Sequence, residues 1–405
     1  MAPPSTSRAR AAPTPAPRST PSLSAASWPG CSPVRPPRRR TASTRPGPSR
    51  RSPSRRFWPA ERRPHQQDQA LREETHLELK HIALIGAVAV TLQAAPALAQ
   101  TEIIFGISAA DGSLQDQTAE EFARRANEKL GDKAVVKVFD SSQLGKDKDM
   151  LQKIKLGTMH ITLPSSTMPE IAPEYALFDL PFLVADRQHL AKIDEALFDS
   201  VLKPAAEAKG YKPLAIWENG FRQITNSKHP VTTPADLKGL KIRTPNSSWR
   251  VAMFQEYGAN PTPMPFSELF VALQTGVVDG QENPMTNIYG GKLNEVQEYL
   301  SLSNHVYSPA YPTVGLKAFE KLDPEVQQII EETAKEVAFW ARDTGEAQDG
   351  ELVGKLEEGG LAVNKTDRDA FVEASKPIYE KFAAEVTGGQ EMIDKALSLA
   401  DGSGS

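Results

Sequence analysis

An α/β protein of two lobes is what this sequence predicts, on three observations. Short apolar runs that read as strands alternate with runs of helical spacing from residue 101 onward. The alternation resumes between residues 222 and 302. The 306 residues that follow position 99 contain no cysteine, so their core alone must hold them, most naturally as two lobes.

Residues 101–108 (TEIIFGIS) read as a first strand, and 118–130 place Phe122, Ala126 and Leu130 on one helical face. Residues 134–139 (AVVKVF) alternate as a second strand. Residues 147–156 are helical with Gly157 as the C-cap, and 160–163 form another short strand. This order implies a mainly parallel sheet covered by helices, which 177–184 and 197–209 continue. Further on, strands are expected near 241–243 and 277–279 and helices near 249–257 and 267–273. An amphipathic helix over 325–339 follows Asp323-Pro324, with proline near its start. Two more helices are expected at 346–358 and 367–386. No repeat of 20–50 residues is present, which argues against a solenoid. Periodicity leaves open how often the chain passes between the lobes.

The first 99 residues are a different polymer. Residues 1–76 hold 15 Arg and no Lys, and 15 of the 33 prolines fall before position 65. So little apolar surface cannot offset the entropy of ordering, so this segment is expected to be disordered. A basic nucleic-acid-binding tail is one reading; the translation of GC-rich non-coding DNA, a gene model extended too far upstream, is the preferred one. Residues 77–99 read as a signal peptide, with a basic start, an apolar run over 82–92 and the small-x-small site Ala97-Leu98-Ala99. The apolar run is 11 residues, against about 20 needed to span a bilayer. The expected mature protein begins at Gln100, in the periplasm. It has 31 basic and 46 acidic residues, a formal charge of −15 against −4 for the whole chain. Such an acidic surface argues against nucleic acid or an anionic membrane as partner. Cys31 falls in the removed part, which excludes disulfide, thiol nucleophile and thiolate metal site. The closing residues 402–405 (GSGS) read as a flexible end or an added scar.

The stretch from Trp217 to Pro284 carries the chemistry. Arg222 lies in ENGFRQITNS and Arg243 in LKGLKIRTPNS, each at or just after a short apolar run. A guanidinium is a planar fork that a carboxylate meets with two parallel hydrogen bonds, and strand ends are where open α/β sheets gather ligands. Downstream runs TPMPFSELFVALQTGVVDGQENP, ending at Asn283-Pro284. Together with SSQLGKDKDMLQKIKLGTMHI, FDLPFLV and NPMTNIYGGKLNEVQEYLSLSNHVY, these segments resemble the solute-binding protein of TRAP (tripartite ATP-independent periplasmic) transporters, the DctP family. The resemblance extends from about Thr101 to about Leu399.

The resemblance implies a periplasmic-binding-protein fold, with a ligand cleft between the lobes and a chain that crosses between them. Lobe one would be 101–219 plus 308–347, and lobe two 220–307 plus 348–405. It implies a small organic-acid ligand (a dicarboxylate, sugar acid, or hydroxy or keto acid), no cofactor, and two integral membrane partners, the small and large permease subunits. Arg243 matches the arginine that binds the ligand carboxylate; the ordinary reading is a surface arginine paired with an acid. Arg222 matches a second cleft arginine whose partner is either ligand or a structural acid. Asn283, by residue type an N-cap, matches an amide that binds the carboxylate from across the cleft. Phe266, by position a core residue or hydrophobic staple, matches an aromatic flanking the ligand. Asn246 and Trp249 share the loop after Arg243, where Trp249 either narrows the pocket or covers the sheet. Ser165, Ser166, Phe182 and Trp217 are candidate lining from lobe one.

Catalysis has little support. His160, His189, His229 and His305 are scattered without metal-site spacing, and there is no GxSxG, P-loop or GxGxxG. Two alternatives stay open: a periplasmic enzyme on carboxylated sugars, and a sensor subunit that presents ligand to a membrane kinase or chemoreceptor.

Overall fold

The computed structural model describes residues 100–400; the segments 1–76 and 77–99 and the tail at 402–405 lie outside the described residues. The strands are β1 (Thr101–Gly106), β2 (Ala134–Phe139), β3 (Ile161–Thr162) and β4 (Tyr211–Pro213). Next come β5 (Trp217–Asn226), β6 (Lys241–Thr244), β7 (Asn260–Pro263) and β8 (Gly280–Pro284). The last are β9 (Tyr299–Leu302), β10 (Tyr307–Ala310), β11 (Thr313–Gly315) and β12 (Ala362–Lys365). They form two sheets: β2-β1-β3-β11-β4 in one lobe, and β12-β9-β5-β8-β6-β7 in the other, with β10 added to β5.

In the first lobe, alternation in β1 sends Ile103 and Phe105 inward. Phe105 meets Phe122 edge-on at 5.8 Å, and Trp217 closes the cluster at 5.6 Å from Phe122. Phe122 is delivered by the helix Leu114–Leu130, which Ser113 caps by accepting from the Asp116 amide. Removing one such aromatic from a core costs about 3–5 kcal/mol. In the second lobe β6 runs parallel to β7 and β8, while β5 is antiparallel to β8 and β9. The start of β8 comes so close to β5 that a Cβ on Gly280 would stand 2.3 Å from the Thr225 carbonyl oxygen.

Two elements belong to both lobes. β5 begins with Trp217 in the first core and ends with Ile224 packed in the second. The helix Pro324–Glu358 puts Val326, Ile330, Ala334 and Val337 into the first core and Leu352 and Leu356 into a core under β9 and β12. Where they cross, a Cβ on Gly345 would sit 2.8 Å from the Glu218 side chain. The chain therefore passes between lobes, and an open groove is left between the two sheets.

Several expected elements differ. Both sheets are mixed rather than mainly parallel, because β5, β10 and β11 are return strands that run against their neighbours. The helices expected at 325–339 and 346–358 are one, since packing on both cores carries it through its glycines. The helix expected at 367–386 is two, Arg368–Ala374 and Lys376–Glu385, divided at Ser375 before Pro377. The strand expected at 277–279 starts at Gly280 instead, because Gly276 (φ +70) turns the chain and Val278 is buried as its anchor.

Candidate functional site

Strand directions bring the site together. β6 and β8 are parallel, so their C-terminal ends share an edge, and β5 enters the sheet at that edge from the other lobe. Register sets Arg222 opposite Pro284, Gln223 opposite Asn283, and Arg243 opposite Gln281. A cavity with about 480 Å³ of empty space, its mouth included, opens there. Its walls include Arg222, Arg243, Asn283, Phe266 and Ser166, together with Ser165, Asp147, Gln115, Asn219 and Asn287.

The two arginines are equally buried, each 2% exposed. Arg222 is held by protein along one edge: Nε and Nη2 engage the Glu282 carboxylate, and Nη2 also donates to the Glu282 carbonyl (2.6 Å) and to Asn283 Oδ1 (3.1 Å). Glu282 further lies 3.3 Å from Arg250 Nη1 and 3.3 Å from His305 Nε2. Burial alone would push the Glu282 carboxyl up, but Arg222, Arg250 and the His305 hydrogen bond outweigh it and hold the group far below the usual carboxylate range. His305 is pushed down by burial, and its Nδ1 lies 2.8 Å from Ser303 Oγ. Arg250 is completed by Asp179 (2.9 Å) and Ser308 (2.9 Å).

Arg243 is different. Nε and Nη2 both donate to one backbone carbonyl, that of Met264, at 3.0 and 2.7 Å. No carboxylate lies within 4 Å of it among the described residues. Burial, then the neighbouring Arg222 charge, pulls its pKa down to about 10. Met264 occupies the Nε side, so the Nη1/Nη2 end of the fork remains for something else. Arg222 and Arg250 pair with Glu282 and Asp179, whereas Asp147 on the cavity wall acts on Arg243 only through space. A buried charge is tolerated when an anion meets it.

Four candidates lie elsewhere. Trp249 is buried against Phe382, with ring centroids 5.7 Å apart, under the Lys381 ammonium. One residue along a helix turns the side chain by about 100°, so Trp249 packs on the helix Lys376–Glu385 and its neighbour Arg250 reaches the charge network instead. Phe182 adopts φ +60, its amide donates to the His305 carbonyl, and its ring lies beneath Arg368 on the wall of another groove. Asn246 is half-buried in the loop after β6 and is not part of the cavity wall. Trp217 is a core residue whose Nε1 donates to the Ala334 carbonyl. Asn283 does not cap a helix; it is the penultimate residue of β8, and Pro284 is the N-cap of the helix Met285–Gly290.

Sequence reading missed Arg250, Glu282, Asp179 and His305, and on the cavity wall Asp147, Gln115, Asn219 and Asn287. Glu282 had a weak signal, an acid placed beside Asn283 in the polar run 279–283 (DGQEN). The others had none at the level of residue type.

The chain matches the model of the bacterial extracellular solute-binding protein family 7 (DctP) over residues 105–385. It belongs to that family. It is 36% identical over 299 residues to the 2,3-diketo-L-gulonate-binding periplasmic protein YiaO of Escherichia coli K12, covering 73% of this chain and 91% of that one. Among solved structures it is similar to a TRAP periplasmic solute binding protein from Polaromonas sp. JS666 bound to D-erythronate (32% identity, TM-score 0.71, 74% of this chain and 99% of that one). A TRAP solute binding protein from Sulfurospirillum deleyianum with bound succinate is similar to the same degree (33%, TM-score 0.71, 75% and 100%). The two-lobe fold with a crossing chain is that of these TRAP solute-binding proteins. The family is one of substrate-binding receptors rather than enzymes.

Proposed function

We propose that this TRAP receptor holds the carboxylate of a small organic acid on Arg243 and hands the acid to a permease of small and large membrane subunits. One observation carries the reading: Arg243 is buried, faces the cavity, and has no carboxylate partner among the described residues. Carboxylates in the similar structures, D-erythronate and succinate, support it. The free Nη1/Nη2 end of Arg243 suits a bidentate contact. Arg222 keeps Nη1 without a partner among the described residues, and Asn283 donates one Nδ2 hydrogen to Gln281 and has a second for the ligand. Phe266 and Ser166 complete the enclosure.

Binding would close lobe one (101–219 plus 308–347) on lobe two (220–307 plus 348–405), because ligand favours closure only by touching both. The receptor would reach the periplasm through the signal peptide at 77–99 and begin at Gln100; intact mass of periplasmic material checks that. The decisive experiment is calorimetric titration of Arg243→Lys beside Arg243→Ala. Lysine keeps the charge but loses the fork, so both variants are expected to lose at least about tenfold in affinity, each hydrogen bond to a charged group being worth ~1.5–3 kcal/mol. Parent-like binding by Arg243→Lys would move the anchor elsewhere.

A further inference from the structure

The cavity has two unlike ends. Its only cationic side chains among the described residues, Arg222 and Arg243, stand together on the second lobe. Across from them the first lobe presents Asp147, the first residue of the helix Asp147–Leu156. Its carboxylate accepts from Ser108 Oγ at 2.7 Å and has no basic side chain within 4 Å among the described residues. A second acceptor lies on the same cavity. Asn287 donates through Nδ2 to Asn219 Oδ1 at 3.0 Å, which leaves its own Oδ1 buried with no partner. Asn287 is 6% exposed, so the protein shields that oxygen from bulk water. A buried acceptor without a donor is costly unless a ligand supplies one.

We propose that Asp147 and Asn287 set the ligand class, selecting an acid with one carboxylate and several hydroxyls over a dicarboxylate. The inference rests on Arg243 as the carboxylate anchor. With one carboxylate held there, the rest of the ligand extends toward two acceptors. Hydroxyls donate to both. A second carboxylate has no hydrogen to give at neutral pH, meets no second cation, and faces the like charge of Asp147. A polyhydroxylated aldonate or keto-aldonate meets every one of these demands. Discrimination of this kind is strong where a site's polar groups would otherwise be left unpaired.

Calorimetric titration of the parent, Asp147→Asn and Asn287→Ala with D-erythronate, D-gluconate, D-galactonate and succinate tests it. The parent is expected to bind at least one of the three hydroxy acids about tenfold or more tightly than succinate. Asp147→Asn should shrink that ratio from both sides, weakening the hydroxy acid and tightening succinate. Asn287→Ala should weaken the hydroxy acid and leave succinate nearly unchanged, which keeps the test alive if Asp147→Asn folds poorly. Succinate bound as tightly as any hydroxy acid, and lost in Arg243→Lys, would overturn this inference and leave the anchor standing. Ratios unchanged in both variants would overturn it too. Failure of the parent to bind any of the four would remove the carboxylate anchor and this inference with it.

Discussion

Arg222 and Arg243 stand on β5 and β6, the two strands that flank β8 beside one cavity, are equally hidden from solvent, and differ in what meets them. Arg222 enters on β5 and is locked by Glu282, which Arg250 and His305 also hold. Arg243 leaves on β6 and finds a single carbonyl. One guanidinium belongs to the protein's internal ion network; the other has its charge left open toward the cavity. Neither residue type nor burial separates these roles. The partner does, and the partner is set by strand placement: β8 lays Glu282 beside Arg222, while the residue after β7, Met264, offers Arg243 only its backbone carbonyl.

The largest effect should come from breaking the ion-paired side. Glu282→Ala leaves Arg222 and Arg250 buried without their shared acid, a loss of about 3–5 kcal/mol for a severed buried pair. Urea unfolding of the ligand-free protein measures it; a change under about 1 kcal/mol would show that the two arginines are not held as a network. Arg243→Ala should do the reverse. Ligand-free stability should stay within about 1–2 kcal/mol of the parent, since lost carbonyl contacts are offset by relief of an unpaired charge. The added stability from acid at a hundred times its dissociation constant, about 2.7 kcal/mol in the parent, should vanish.

A third acid sharpens the comparison. Glu218 on β5 has one arginine, Arg187 at 2.9 Å, and the Tyr307 hydroxyl. Burial dominates there, ahead of Arg187, and raises its pKa to about 7 from an ordinary 4.5. The folded state thus keeps a proton that the unfolded chain releases between pH 4.5 and 7. Its stabilising contribution is complete below pH 4.5 and is lost as pH rises through about 7. Unfolding free energy should therefore fall more steeply over that window in the parent than in Glu218→Gln; equal slopes would place the titration elsewhere. The smallest effect should come from the exposed pair of Lys146 and Glu268, which joins the lobes at the cavity mouth. Lys146→Ala should weaken ligand binding slightly, and only at low salt. A large loss that persists in high salt would give this pair a structural role.

Much of the frame was readable in the sequence because periodicity and turn chemistry are local. Residues 134–139 and 147–156, with Gly157 in the left-handed region at φ +75, stand where spacing and C-cap chemistry put them. Arg243 was readable as a strand-end arginine before Pro245. Trp249 and Phe182 were not, because a helix phase and a positive φ decide which way each points. Arg250 and Asp179 were invisible for a related reason. Their pairing spans 71 positions and exists only after both lobes are built. The long helix was expected as two, 325–339 and 346–358, and tertiary packing on both cores carries it through the interval between them.

That helix also limits how the receptor can let go. Pro324–Glu358 is anchored in one lobe by its first half and in the other by its second. The lobes are thus coupled by a stiff beam as well as by flexible strands. Spreading them must flex or pivot that beam. Gly350 and Gly354, where an added Cβ would meet nothing within 4 Å, lie in the half beyond the Gly345 crossing, and glycine is the residue at which a helix yields most easily. Release then resembles the bending of a spring leaf clamped at both ends, with a restoring force that acts on the empty receptor too.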